Sequence, residues 1–139
     1  MKRMIVFQFY CFVLVLLYAF AISSSSSIIP EIKHHVRITN NFKNKPFDYH
    51  CKSRDDDLGF RTLQPKEEWE FTFGLSWLHP TFFNCYFSYE HFSSTFDVYS
   101  RYLKQEVGGS KFFWTVQEDG FYLYHPKLGR NVKLHVWTD

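Results

Sequence analysis

Residues 47–59 read Phe47-Asp48-Tyr49-His50-Cys51-Lys52-Ser53-Arg54-Asp55-Asp56-Asp57-Leu58-Gly59, and a change of pattern inside this stretch decides the fold class. Phe47, Tyr49 and Cys51 recur at every second position, the period of a strand with one buried face. At Lys52 the alternation stops. Three adjacent carboxylates repel one another and compete for backbone hydrogen bonds, so the chain is expected to leave the sheet there as a charged, exposed loop. Gly59 offers a positive φ where the chain turns back. A strand that ends on an inward cysteine and runs into a loop is a β-sheet signal.

The same period recurs on both sides. Upstream, Val36 and Ile38 alternate with Arg37 and Thr39 in a strand expected over His35–Asn40, and Asn40-Asn41 with Asn44–Pro46 supplies turn residues. Downstream, Trp69, Phe71 and Phe73 alternate with Glu68, Glu70 and Thr72. Gly74 and Pro80 then bracket a less regular stretch. Thr81–Tyr89 sets Phe83, Cys85, Phe87 and Tyr89 on one face and Phe82 and Tyr86 on the other, which suits a strand covered on both sides. Phe96 and Val98 mark another strand ending near Arg101. Lys104–Lys111 reads as a polar loop tipped by Gly108-Gly109, with at most a short helical turn over Tyr99–Val107. Phe112, Trp114 and Val116 alternate up to Glu118-Asp119-Gly120, a hairpin signal. Phe121–His125 returns, and Val132, Leu134 and Val136 form a last alternating strand. About eight strands at roughly ten-residue spacing indicate an antiparallel sandwich or a partly closed barrel.

The ends of the chain set its class. Met1-Lys2-Arg3 is a short positive head, and Met4–Ile22 is apolar apart from Gln8. Ala19-Phe20-Ala21 has the small-x-small pattern of a signal-peptidase site, so residues 1–27 are read as a signal peptide and polar lead-in, cut between 21 and 27. Residues 28–139 form a single domain with no membrane span after processing. Its first residues, up to Lys33, are expected to fray. Of the 16 Lys+Arg, Lys2 and Arg3 belong to the leader, leaving 14 against 14 Asp+Glu. A neutral domain lacks the electrostatic footprint of a nucleic-acid binder. Cys11 leaves with the leader, and Cys51 and Cys85 remain as an even pair in an oxidising compartment, which reads as one disulfide. Closing a loop of roughly 35 residues, it contributes about 4 kcal/mol on the chain-entropy model.

The quoted pieces together resemble the plant self-incompatibility protein S1 family, also called S-protein homologues. The resemblance is carried by Val36-Arg37-Ile38-Thr39-Asn40-Asn41, by His50 to Gly59, and by Trp69-Glu70-Phe71 and Phe83-Asn84-Cys85. Phe96-Asp97-Val98-Tyr99 follows, then Trp114 with Glu118-Asp119-Gly120-Phe121-Tyr122. Many relatives have a second cysteine pair just before the equivalent of Trp114. Here that region is Gly108-Gly109-Ser110-Lys111-Phe112-Phe113, without cysteine. The resemblance implies an all-β antiparallel sandwich and a secreted, non-enzymatic ligand recognised by a plasma-membrane receptor or another cell-surface protein.

Candidate sites follow from the loops. Lys52, Arg54, Asp55, Asp56 and Asp57 form one candidate partner-binding loop, and Lys104, Gln105, Glu106 and Lys111 the other, since loops vary without cost to a core. Consecutive carboxylates point apart, whereas hard-cation loops space their oxygens at alternate positions, so no metal is expected on the aspartate run. The histidines show no ligand spacing, and no nucleophile motif is present, so neither a cofactor nor a catalytic residue is expected. A monomer is expected. The aromatic excess, 22% of the chain, reads mainly as core. Three or more coplanar exposed rings would instead indicate a carbohydrate- or cell-wall-binding module; Trp77, Tyr102 and Tyr124 are the rings that decide it. A small secreted hydrolase is the remaining alternative.

Overall fold

The computed structural model of the protein describes residues 2–25, 32–76 and 78–139, in two compact units, Met1–Glu31 and Ile32–Asp139. The first unit is a helix, α1 (Lys2–Ser25), and the expected cleavage window of 21–27 runs past its end into residues outside those described. The second unit carries the β structure.

Among the described residues, nine strands form two sheets. They are β1 (Lys33–Asn40), β2 (Phe47–Lys52), β3 (Asp57–Leu63), β4 (Glu68–Gly74), β5 (Phe83–Tyr89), β6 (Phe92–Tyr99), β7 (Lys111–Gln117), β8 (Gly120–His125) and β9 (Arg130–His135), with a helix α2 (Arg101–Val107) between β6 and β7. One sheet has the order β4-β1-β7-β8-β9 and the other β3-β2-β5-β6. Every pairing is antiparallel except β1 with β7, which run parallel from His35↔Lys111 to Asn40↔Val116. That pair needs a long crossover, and the whole four-stranded sheet lies within it.

The alternating aromatic faces meet between the sheets. Phe87 of β5 lies 4.9 Å from Phe121 of β8, Phe96 lies 5.0 Å from Trp114, and Phe83 lies 4.7 Å from Phe73. Each such pair adds about 0.5–1.5 kcal/mol beyond its buried area. Trp114 also donates its indole N–H to the Val98 carbonyl at 2.9 Å, tying β7 to the opposite sheet. Cys51 and Cys85 face each other in register on β2 and β5, are fully buried, and form the disulfide. Asn40, fully buried at the end of β1, accepts from the Phe42 amide and donates to the carbonyls of Leu63 and Lys45. It holds the turn that sequence placed at Asn40–Pro46.

Several expectations change. Gly59 (φ 83°) does not sit where the chain reverses. The reversal is a tight turn in which Ser53 and Asp56 exchange backbone and hydroxyl bonds, and Asp57 already opens β3. Gly59 lies inside that strand, near a register shift against β2. Lys104–Glu106 are helical rather than loop, because Ser100 caps α2 through its hydroxyl and Leu103 and Val107 turn into the core. Lys33, the last residue expected to fray, pairs with Gly74, and His34 is only 2% exposed, between Phe73 and Tyr99. Burial holds the His34 imidazole below the usual histidine range, helped by the nearby Lys104 charge. The second face of β5 is open: Phe82 and Tyr86 are exposed.

The last strand also departs from its alternation. A register shift between Phe121 and Tyr122 skips Leu134, so His135 turns inward and stacks on Phe96 at 4.0 Å. Leu134 and Val136 are exposed in consequence.

Candidate functional site

Strand register collects four connections at one end of the second unit, the β8–β9 turn at 126–129 among them. Lys52 pairs with Asn84 and Phe83 with Tyr99, so the β2–β3 turn, the 75–82 segment and α2 leave the four-stranded sheet at the same end. Gly74 pairs with Lys33, and Lys111 with His35, which brings the five-stranded sheet to that end too. The opposite end carries the β1–β2, β5–β6 and β7–β8 connections and the C-terminal segment, closed by Trp137 donating to the Gln117 carbonyl at 2.9 Å.

At the β2–β3 turn, Lys52, Arg54, Asp55 and Asp56 project into solvent. Asp57 behaves differently. Its Oδ1 accepts from the Gly59 amide at 2.8 Å and lies 2.6 Å from His50 Nε2. The Gly59 bond first, then His50, lowers its carboxyl below the usual range. Asp57 therefore shapes the strand entry, and its two neighbours are the free charges. Among the described residues, no group of three His, Cys, Asp or Glu is arranged to hold a metal ion.

At α2 the structure separates residues that sequence grouped together. Lys104 and Gln105 line a cleft of about 630 Å³ that also takes in Arg101, Tyr99, Leu75, Ser76 and Leu78 to Thr81 with His79. Glu106 is exposed away from it, and Lys111 is the first residue of β7. Sequence reading missed Arg101 and His79. The break in alternation between Gly74 and Pro80 was the available signal, and nothing in spacing alone connected it to α2.

Exposed Phe60 and Tyr86 flank His50 from neighbouring strands on one face of the four-stranded sheet, while Tyr102 and Tyr124 lie elsewhere. Phe60, 80% exposed, sits on β3 beside His50, with ring centroids 4.1 Å apart. Tyr102 is on α2 and Tyr124 on β8, in the other sheet. Trp77 lies outside the described residues.

A disulfide-stapled double sheet with charged connections gathered at one end defines a class of small all-β domains in which the strands are scaffold. The family model for the plant self-incompatibility protein S1 matches residues 35–137, and the chain belongs to that family. S-protein homolog 2 of Arabidopsis thaliana is 39% identical over 105 residues, covering 70% of this chain and 64% of that protein. Self-incompatibility protein S1 of Papaver rhoeas is 31% identical over 115 residues, covering 80% and 81%. The chain thus spans somewhat under two-thirds of S-protein homolog 2. A solved structure of an S-protein homologue superposes with a TM-score of 0.61 at 18% identity, covering 78% of this chain and 97% of that one. It is described as belonging to a widespread family of small, highly stable, secreted proteins from plants. The protein is secreted and extracellular, in keeping with its buried cysteine pair. The family is named for self-incompatibility and not for a reaction.

Proposed function

We propose that the protein is an extracellular ligand, without enzymatic activity, whose loop end is read by a cell-surface partner. The supporting observation is the division of labour in the second unit. The aromatic core, the disulfide and Asn40 fix the strands, while the β2–β3 turn and α2 project unpaired charge from one end. Surface charge of this kind steers encounter and selects a partner more than it stabilises a fold. Among the described residues no helix is long and apolar enough to cross a membrane. The cell-wall reading has less support, since Tyr102 on α2 and Tyr124 on β8 stand on other elements than the exposed pair Phe60 and Tyr86.

The test is binding of the labelled, purified secreted protein to plant cell surfaces. Asp55→Ala/Asp56→Ala and Lys104→Ala/Glu106→Ala should weaken binding with melting temperatures kept within a few degrees. Lys43→Ala, at the opposite end, should bind as the parent. Normal binding by both loop variants sinks the proposal.

A further inference from the structure

The cleft beside α2 has a chemistry of its own. Its walls include Leu75, Leu78, Pro80 and the Tyr99 ring, and Leu78 is 66% exposed. Arg101 and Lys104 stand on the rim three residues apart on α2, a spacing that puts both heads on one helix face. His79 faces them from the other wall, with Ser76, Thr81 and Gln105 as neutral hydrogen-bonding groups. No carboxylate is among the described lining residues, and none among the described residues forms an ion pair with Arg101 or Lys104. Three cations elsewhere in the domain are ion-paired, Arg37 with Glu70, Lys45 with Glu90 and Lys133 with Asp119. Against Tyr99 lies the buried His34, whose imidazole is held below the usual range by burial and then by the same Lys104 charge. Two uncompensated cations over an apolar concavity make a site short of negative charge.

We infer that this cleft binds an amphipathic carboxylate, a single carboxylate carried on an apolar body of about one aromatic ring or a short alkyl chain. The acid group sits between Arg101 and Lys104, where the planar guanidinium donates to it in bidentate fashion. The apolar body lies on Leu75, Leu78 and Tyr99. A cleft of about 630 Å³ is within the range of small-molecule sites. A polyanion is disfavoured by the apolar walls, and a neutral sugar leaves the two cations unpaired. The carboxylate has two sources, a free organic acid or an acidic residue beside an apolar one at the tip of a partner protein. Only the second rests on the cell-surface reading.

Backbone amide shift mapping by NMR on the purified secreted protein tests this with four probes. These are 4-phenylbutyrate, its uncharged amide, acetate, and the peptide acetyl-Gly-Phe-Asp-Gly-amide. Saturable shifts from phenylbutyrate or from the peptide, confined to Leu78, Thr81, Arg101 and Gln105 and their neighbours, support the site. Binding by the free acid assigns it to a small molecule, and binding by the peptide alone assigns it to a partner segment. The amide and acetate should each bind at least about tenfold more weakly. Arg101→Ala/Lys104→Ala should lower affinity by a similar factor, with Lys104→Gln as the milder variant if the pair lowers the melting temperature. Asp55→Ala/Asp56→Ala should leave it unchanged. Equal binding of the amide, shifts outside the cleft, or no saturation of either probe by about 10 mM overturns the inference. Absence of cell binding by the parent protein, with these shifts present, counts against the cell-surface reading and leaves the cleft standing.

Discussion

Replacing Asn40 by aspartate exchanges one NH₂ for an oxygen and reverses the sign of two contacts. The parent side chain donates to the Leu63 carbonyl at 2.8 Å and the Lys45 carbonyl at 3.1 Å, and accepts from the Phe42 amide at 2.8 Å. Asn40→Ala removes all three bonds. At a net value of about 1 kcal/mol each, the loss is about 3 kcal/mol. For a domain of about 100 residues that corresponds to a fall in melting temperature of about 12–20 °C. Asn40→Asp keeps the Phe42 bond and sets a carboxylate oxygen against two carbonyls in a fully buried position. At pH 7 it should therefore be the worse variant, losing about 4–5 kcal/mol, because an uncompensated buried charge costs more than a missing bond. Protonation restores one donor, so the introduced carboxyl has a higher pKa in the folded state than in the unfolded chain. The stability of this variant relative to the parent should improve as pH falls from 7 towards 4.5. Urea unfolding followed by tryptophan fluorescence, with the disulfide intact, measures both. If Asn40→Asp is as stable as Asn40→Ala at pH 7, or gains nothing on acidification, the role given to Asn40 is wrong.

Three further outcomes are expected. Cys51→Ala/Cys85→Ala should lose about 2–5 kcal/mol, read by the same unfolding curves, and much of the secreted yield. Burial holds both His34 and His135 below the ordinary value of 6.5, so below that pH the unfolded chain takes up protons first. Stability is then fully present above about pH 6.5 and declines as pH falls below it; His135→Phe, which keeps the stack on Phe96, should flatten the melting-temperature profile between pH 7 and 5. Phe60→Ser, at an 80% exposed position, should change stability by no more than about 0.5 kcal/mol.

Strands that alternate cleanly were legible from residues alone. Phe47–Lys52 has the bounds that its Phe47, Tyr49, Cys51 period indicated, and the Glu118-Asp119 turn falls where Asp-Gly placed it. Strand β3 was not legible, because Asp57-Leu58-Gly59-Phe60 mixes charge, a glycine and an outward phenylalanine and has no period. It is recruited by pairing with β2, a tertiary effect that a linear pattern does not carry. The bulge that turns His135 inward is likewise a matter of register against β8. Of the partner loops, the exposed positions of Arg54, Asp55 and Asp56 followed from charge. The cleft did not, because Lys104 and His79 meet only through the fold.

The parallel β1–β7 pair also bears on how the chain is made. β1 leaves the ribosome roughly 75 residues ahead of its partner. The β2–β3 and β5–β6 hairpins and the Cys51–Cys85 bridge join residues that emerge in between. β4 arrives in time to cover one flank of β1, while the other flank keeps its amides and carbonyls open until Gln117 has been synthesised. Mispairing of nascent chains is therefore concentrated on Lys33–Asn40 during export. The flank of β1 that β7 covers is thus open until most of the chain has been made.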